Sequence, residues 1–225
     1  MDSSRLPGKP LRTFEGRLLL DWLLARLDPA RAVFDSVVLA TSDRTVDDAL
    51  EQFAASRGVD CFRGDADDVA ARTLAAAEAL EATHFFRING DSPCVEPSLF
   101  LHATEMMQAD PALDFITNLQ PRTWPYGVAC ELFQTTTFRK TLARMNEPRY
   151  REHVTLFFYK HLTEFRWRNL TRPGAPMDHL RLTVDTEEDA SRFSTLVAQL
   201  GAQWPGCTLD ELAAAATKNG FSTTA

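Results

Sequence analysis

The feature that most restricts this chain is an alternation: short apolar runs closed by polar residues take turns with helix-patterned stretches. Ser36-Val37-Val38-Leu39-Ala40-Thr41 has the β-branched, continuously apolar centre of a strand buried on both faces of a parallel sheet. Thr45 to Arg57 follows with helix signals, since Thr45 can cap, Asp47 and Asp48 fill the first turn, and Gly58 ends it. A strand at Val59 to Phe62, a helix at Ala66 to Glu81, a strand at Thr83 to Ile88, a helix at Pro97 to Gln108 and a strand at Leu113 to Asn118 continue the rhythm. Such alternation predicts right-handed crossovers, a parallel sheet and a ligand crevice at the carboxyl ends of the strands.

After Asn118 the rhythm changes. Gln120 to Gly127 holds two prolines and a glycine and reads as a loop, with a strand at Val128 to Gln134 after it. Helices are expected at Thr136 to Met145, Tyr150 to His161 and Glu187 to Leu200, strands at Phe165 to Leu170 and Leu180 to Val184, and an alanine-rich helix without obvious docking at Leu209 to Lys218. No repeat or linker divides residues 1–225, so one α/β domain with a mixed second half is predicted.

A chain of 225 residues can bury ~70% of its unfolded surface and needs neither disulfide nor metal to fold. Its net charge of −7 argues against a nucleic-acid partner, because phosphate tracking demands a basic excess. Any phosphate chemistry must use a local basic cluster. No apolar run approaches the ~18 residues of a membrane span and no signal-peptide core is present, so no membrane partner is expected and the cytoplasm is the expected compartment. Cys61, Cys94, Cys130 and Cys207 form no CxxC pair and are expected to be buried free thiols.

Three places could carry chemistry. Ser3-Ser4-Arg5-Leu6-Pro7-Gly8-Lys9 combines hydroxyls, a glycine and two cations, a set able to cradle a triphosphate or, alone, a solvated tail. Asp91, in Arg87-Ile88-Asn89-Gly90-Asp91-Ser92-Pro93, and Asp185, in Leu182-Thr183-Val184-Asp185-Thr186, each follow an apolar strand. Such aspartates suit the hard cation that accompanies a nucleotide, or serve as caps and turns.

With these segments the chain resembles the cytidylyltransferases that make CMP-activated acidic sugars, especially the spore-coat polysaccharide branch, with CMP-Kdo and CMP-sialic acid synthetases as relatives. Ser3 to Leu11 is similar to the family's triphosphate loop and Leu39 to Asp43 to its second strand end. Phe62-Arg63-Gly64 with Asp67-Asp68-Val69 resembles its RG…DDV segment, and Arg87 to Pro93 its RxxGDxP segment. Arg151 to Thr155 resembles its REHVT element, and Leu182 to Asp189 its LTVDTxxD element. The resemblance implies a three-layer nucleotide-diphospho-sugar transferase-like fold, mostly parallel with a mixed second half. It implies CTP bound by Ser3, Ser4, Arg5, Lys9, Ala40, Thr41, Ser42, Arg63, Asp68, Asn89 and Asp91. Arg5 and Lys9 would be catalytic, and Asp91 and Asp185 would hold Mg2+. A sugar-acid acceptor would meet Arg122, Tyr126, Glu131 and His153, and residues 120–172 would form the acceptor side and a dimerisation region.

The chain departs from that pattern in two places. The family carries an apolar strand ahead of the triphosphate loop, whereas Met1-Asp2 stands here; that inner strand is expected to be absent, leaving the sheet open and the loop free to fray. Either the natural start lies upstream or the protein is a shortened, non-catalytic nucleotide-binding partner subunit. In Trp124 to Glu131 the branch commonly shows PRGLDVE, so Tyr126 and Ala129 replace an arginine and an aspartate, and the acceptor is open. His153 is either a general base or a structural residue. Phe157, Phe158 and Tyr159 either pair two copies or finish the core.

Overall fold

The structure, a computed structural model, describes residues 6–221. A short hairpin, β1 (Thr13–Phe14) and β2 (Arg17–Leu18), leads into α1 (Leu19–Leu27). Helix α1, whose sequence LLDWLLARL is apolar nearly all round, is largely buried and stands at the centre of the larger core. Its one fully buried charge, Arg26, donates to the carbonyls of Val95, Trp204 and Cys207 at 3.1, 3.0 and 2.6 Å, which fastens the C-terminal elements to the first helix.

Strand β3 (Val38–Ser42) pairs in parallel with β4 (Asp60–Gly64), α2 (Asp48–Arg57) forming the crossover. Gly58 ends α2 in the left-handed region (φ 63), as its position predicts. The start differs from expectation: Thr45–Asp47 is a single 3-10 turn, and Asp47 turns back to accept from the Thr41 hydroxyl at 3.0 Å instead of capping α2. Helix α3 (Val69–Ala79) is capped by Asp68, whose carboxylate accepts from Ala71 N at 2.8 Å.

The other four strands form a mixed sheet in the order β5 (His84–Phe86), β7 (Glu131–Gln134), β6 (Phe115–Thr117), β8 (Trp167–Asn169). Here β7 runs antiparallel to both its neighbours and β8 parallel to β6. Between β3 and β5 the sheet is interrupted: among the described residues β3 pairs only with β4, and Ala40 is exposed. The two-faced burial expected of the first strand belongs instead to β6, all three of whose residues are buried.

Helices α4 (Pro97–Ala109), α5 (Thr135–Leu142), α8 (Glu187–Leu200) and α9 (Leu209–Lys218) stand close to their predicted spans. The docking of α9 is settled by Leu212 and Ala216, fully buried in the larger core. The single helix expected over Tyr150 to His161 is two, α6 (Pro148–Glu152) and α7 (Leu156–Lys160). His153 leaves helical geometry (φ −95, ψ 75), and the break lets Val154 join Phe157 and Phe158 in a second core with Phe115, Phe133 and Phe138. The aromatics that suggested pairing of two copies thus finish the core of one. Three cysteines are buried, but Cys61, on the thinly covered β4, is half-buried, and all four are free thiols.

Candidate functional site

From Leu6 onward the opening loop is pinned where it was expected to fray. Leu6 is buried, Gly8 takes a left-handed conformation (φ 66), and Lys9 starts a 3-10 turn, Lys9–Leu11, whose geometry Pro10 favours. Ser3, Ser4 and Arg5 lie outside the described residues.

Lys9 Nζ donates to Asp91 Oδ2 at 2.8 Å and to Asp185 Oδ1 at 2.9 Å, uniting side chains 82 and 176 positions away in sequence. Asp91 sits in the turn that follows β5, where Ser92 N bonds Asn89 O at 3.1 Å and the Ser92 hydroxyl reaches Asp91 Oδ1 at 3.1 Å. Asp185 ends the segment 180–184, which lacks a strand ladder although one was expected. The segment is stitched down individually: Tyr126 N to Leu180 O at 2.8 Å, Leu182 N to Tyr126 O at 2.7 Å and Val184 N to Asp91 O at 2.9 Å. Gly127 makes this approach feasible, because its φ is 96 and an added Cβ would lie 3.0 Å from the backbone of Leu182 and Thr183. Asp185 Oδ2 also accepts from Arg181 Nη2 at 2.7 Å and from the Thr183 hydroxyl at 3.0 Å.

Burial alone would lower the Lys9 pKa and raise that of Asp185. The hydrogen bonds and charges they exchange prevail, so Lys9 is raised above its ordinary value and Asp185 held below its own. Both are charged at neutral pH. Two carboxylates that converge on one ammonium offer the hard oxygen donors a magnesium ion takes, with phosphate and water completing its shell. Among the described residues no group of three or more His, Cys, Asp or Glu converges on one point, so a cation here would depend on oxygens from its ligand.

The remaining nucleotide candidates divide. Ala40, Thr41 and Ser42 lie at the end of β3, with both hydroxyls turned to Asp47; burial pushes that carboxyl up, but hydrogen bonds outweigh it and Asp47 falls to about 2. Arg63 is engaged by Ser42 O at 2.8 Å, Arg44 O at 2.7 Å, Asp48 at 2.7 Å and Glu51 at 2.8 Å, so it ties β4 to the start of α2. Asp68 caps α3 and pairs with Arg151 at 2.9 Å. Asn89 is exposed in the turn that holds Asp91.

On the other side of Asp185 lies a cationic stack. The guanidinium centres of Arg181 and Arg122 lie 4.3 and 4.9 Å from the centroid of the Tyr126 ring, which is 41% exposed. Arg122 Nη1 is buried with no hydrogen-bond partner among the described residues, and that burial draws the Arg122 pKa down. Glu131 is buried behind this face, 3.2 Å from Arg87 and in a short hydrogen bond with the Tyr159 hydroxyl. The structure takes His153 elsewhere: it is exposed at the end of α6, and among the described residues its ring has no hydrogen bond, because the break after α6 turns Val154 rather than His153 inward.

Arg181 and Tyr159 were not among the candidates. A signal for Arg181 was present. In Leu180 to Asp185 the apolar Leu180, Leu182 and Val184 are buried, so Arg181, Thr183 and Asp185 share the opposite face of an extended segment. Tyr159 gave none, because its role depends on a break inside the predicted helix.

A sequence model of the family described as Cytidylyltransferase matches residues 1–214. The chain is 33% identical over 231 aligned residues to the spore coat polysaccharide biosynthesis protein SpsF of Bacillus subtilis (strain 168), covering 97% of this chain and 91% of that protein. A cytidylyltransferase structure from Leptospira borgpetersenii serovar Hardjo-bovis (strain JB197) superposes with a TM-score of 0.87 at 26% identity, over 97% of this chain and 91% of the other. A CMP:2-keto-3-deoxy-manno-octonic acid synthetase complexed with CTP shares the fold, with a TM-score of 0.62 at 19% identity, over 88% and 94% of the two chains.

Proposed function

Because the chain belongs to the cytidylyltransferase family, we propose that it transfers CMP from CTP to a hydroxyl of a sugar acid or related polyol, releasing pyrophosphate, in polysaccharide biosynthesis. The observation that carries this reading is the position of Lys9 Nζ, 2.8 and 2.9 Å from the carboxylates of Asp91 and Asp185. It brings a lysine cation and two hard anionic donors to one point beside a loop with a left-handed glycine.

The acceptor hydroxyl attacks the α-phosphorus, the bond from that phosphorus to the bridging oxygen breaks, the hydroxyl proton is lost, and pyrophosphate departs. Asp91 and Asp185 would hold Mg2+, whose contribution is to offset charge on the phosphate oxygens. Lys9 would stabilise the negative charge that builds on the departing pyrophosphate. Thr183, Ser92 and Arg181 keep the two carboxylates oriented.

The test is magnesium-dependent release of pyrophosphate from CTP across a panel of 2-keto-3-deoxy sugar acids, together with the rise in melting temperature caused by CTP and magnesium. At ~100 times its dissociation constant a ligand adds about 2.7 kcal/mol. Neither response from the folded protein would overturn the reading. A second reading, a partner subunit that binds nucleotide without turnover, is favoured by the interruption between β3 and β5. It predicts the thermal shift without pyrophosphate.

A further inference from the structure

We propose that Arg181, with Arg122 and the ring of Tyr126, forms the cradle that selects the carboxylate of the acceptor, and that Arg181 is the specificity-determining residue of the site. This inference rests on the nucleotidyl-transfer reading above and deepens its acceptor half.

Three observations point to an anionic ligand. First, the paired register of Tyr126 and Arg181 brings two guanidiniums within 5 Å of one ring centroid, and of the two only Arg181 has an ion-pair partner among the described residues, Asp185 at 2.7 Å. Second, Arg122 Nη1 is a buried donor without an acceptor among the described residues, a condition that a ligand oxygen relieves. Third, the Tyr126 ring is exposed, offering a surface for the carbon face of a sugar beside the charged forks.

A planar guanidinium fork matches a carboxylate in two parallel hydrogen bonds, which a neutral amide cannot reproduce. A phosphate of the nucleotide is the other source of such an anion. The acceptor is favoured because Asp185 stands between Arg181 and Lys9, bonded to both at 2.7 and 2.9 Å, so its carboxylate screens Arg181 from the triphosphate side. The same bond couples the two halves of the reaction. An acceptor carboxylate held by Arg181 lies one guanidinium away from the carboxylate that binds the metal, so acceptor and nucleotide are positioned against a common group.

The experiment compares 2-keto-3-deoxy sugar acids of six to nine carbons with their C1 primary amides, measuring pyrophosphate release by the wild type, Arg181→Gln, Arg181→Lys and Tyr126→Leu. The wild type is expected to prefer acid over amide by about 100-fold in kcat/KM. In Arg181→Gln the acceptor KM rises and that preference falls below about 10-fold. Arg181→Lys restores charge without the fork and recovers only part of the preference. Tyr126→Leu, a variant that leaves Asp185 its partner, also raises the acceptor KM, while KM for CTP and the thermal shift by CTP stay within about twofold. An unchanged acid-to-amide ratio in Arg181→Gln overturns the inference, as does a loss confined to kcat, which assigns Arg181 to Asp185 alone. A rise in KM for CTP in place of the acceptor KM in Tyr126→Leu assigns the cradle to phosphate and overturns it too. A wild type that CTP stabilises but that turns over none of the acids refutes the acceptor cradle and leaves nucleotide binding standing. A wild type that CTP does not stabilise removes the proposed function itself.

Discussion

Two cationic clusters meet at Asp185 and are balanced in opposite ways. Around Lys9 the charge is matched within the chain: one ammonium lies against two carboxylates at 2.8 and 2.9 Å. Around Tyr126 the match is partial: Arg181 pairs with Asp185 at 2.7 Å, whereas Arg122, on the same ring, keeps a buried N–H with no partner among the described residues. The first cluster is closed and must be opened by what binds it; the second is already open. A closed cluster costs the ligand an ion pair but holds its parts in register until then, whereas an open one carries its cost in the folded state.

The largest effect should come from breaking the closed cluster at its anions. Asp91→Ala removes a proposed metal donor and leaves Lys9 half-matched, so pyrophosphate release should fall by more than about 1,000-fold, with folding retained as judged by circular dichroism. Activity above a tenth of wild type would remove Asp91 from the site. Lys9→Ala should cost about 100- to 1,000-fold in kcat. It should also tighten Mn2+ binding in the absence of nucleotide, measured by calorimetry, because the cation no longer competes with an ammonium for the same oxygens. Equal or weaker Mn2+ affinity would show that Lys9 does not occupy the cation's place.

How much of this was legible depends on whether neighbours in sequence decide the outcome. The Thr186 cap with Asp189 and the end of α2 at Gly58 are local, and they fall where residue types put them. The meeting of Lys9, Asp91 and Asp185 was legible through the resemblance, which groups the opening loop with the two aspartates, and it holds although segment 180–184 forms no strand ladder. Arg63 shows the limit: its residue type suits a ligand, but what competes for it, Asp48 and Glu51 one helix away, is a matter of packing. The break at His153 was hidden for the same reason, since only the second core can draw Val154 inward.

Stability provides a finer probe of the junction between the clusters. Gly127→Ala forces a side chain into a left-handed position 3.0 Å from the segment that carries Arg181 and Asp185. It should cost roughly 1–3 kcal/mol in denaturant unfolding and weaken both substrates together. A stability change under about 0.5 kcal/mol would mean that the segment can withdraw, contrary to its three backbone bonds.

The pH response follows from the direction of each shift. Asp185 is held below its ordinary value, so its contribution is present above the unfolded carboxylate range and is lost as pH falls through the lower folded value. Lys9 is raised, so its contribution is full below the ordinary lysine value and lost as pH rises through the higher folded one. The closed cluster should therefore give a melting temperature level across neutral pH, declining in acid and again in strong alkali. Lys9→Met should flatten the alkaline decline; persistence of the full decline would assign it to other groups.

The smallest expected change is the one that best separates the two clusters. Arg122→Met keeps the length and apolar stem of the side chain but removes the buried, unpartnered N–H. In a closed cluster such a replacement strands a partner and destabilises; in an open one it relieves an unmet donor and reduces repulsion with Arg181 across the Tyr126 ring. The variant should thus be as stable as the wild type or up to about 1 kcal/mol more so, while the acceptor KM rises and KM for CTP does not. A loss of more than about 1 kcal/mol would show that the Arg122 cation is already matched within the folded chain, and the contrast between the clusters would disappear.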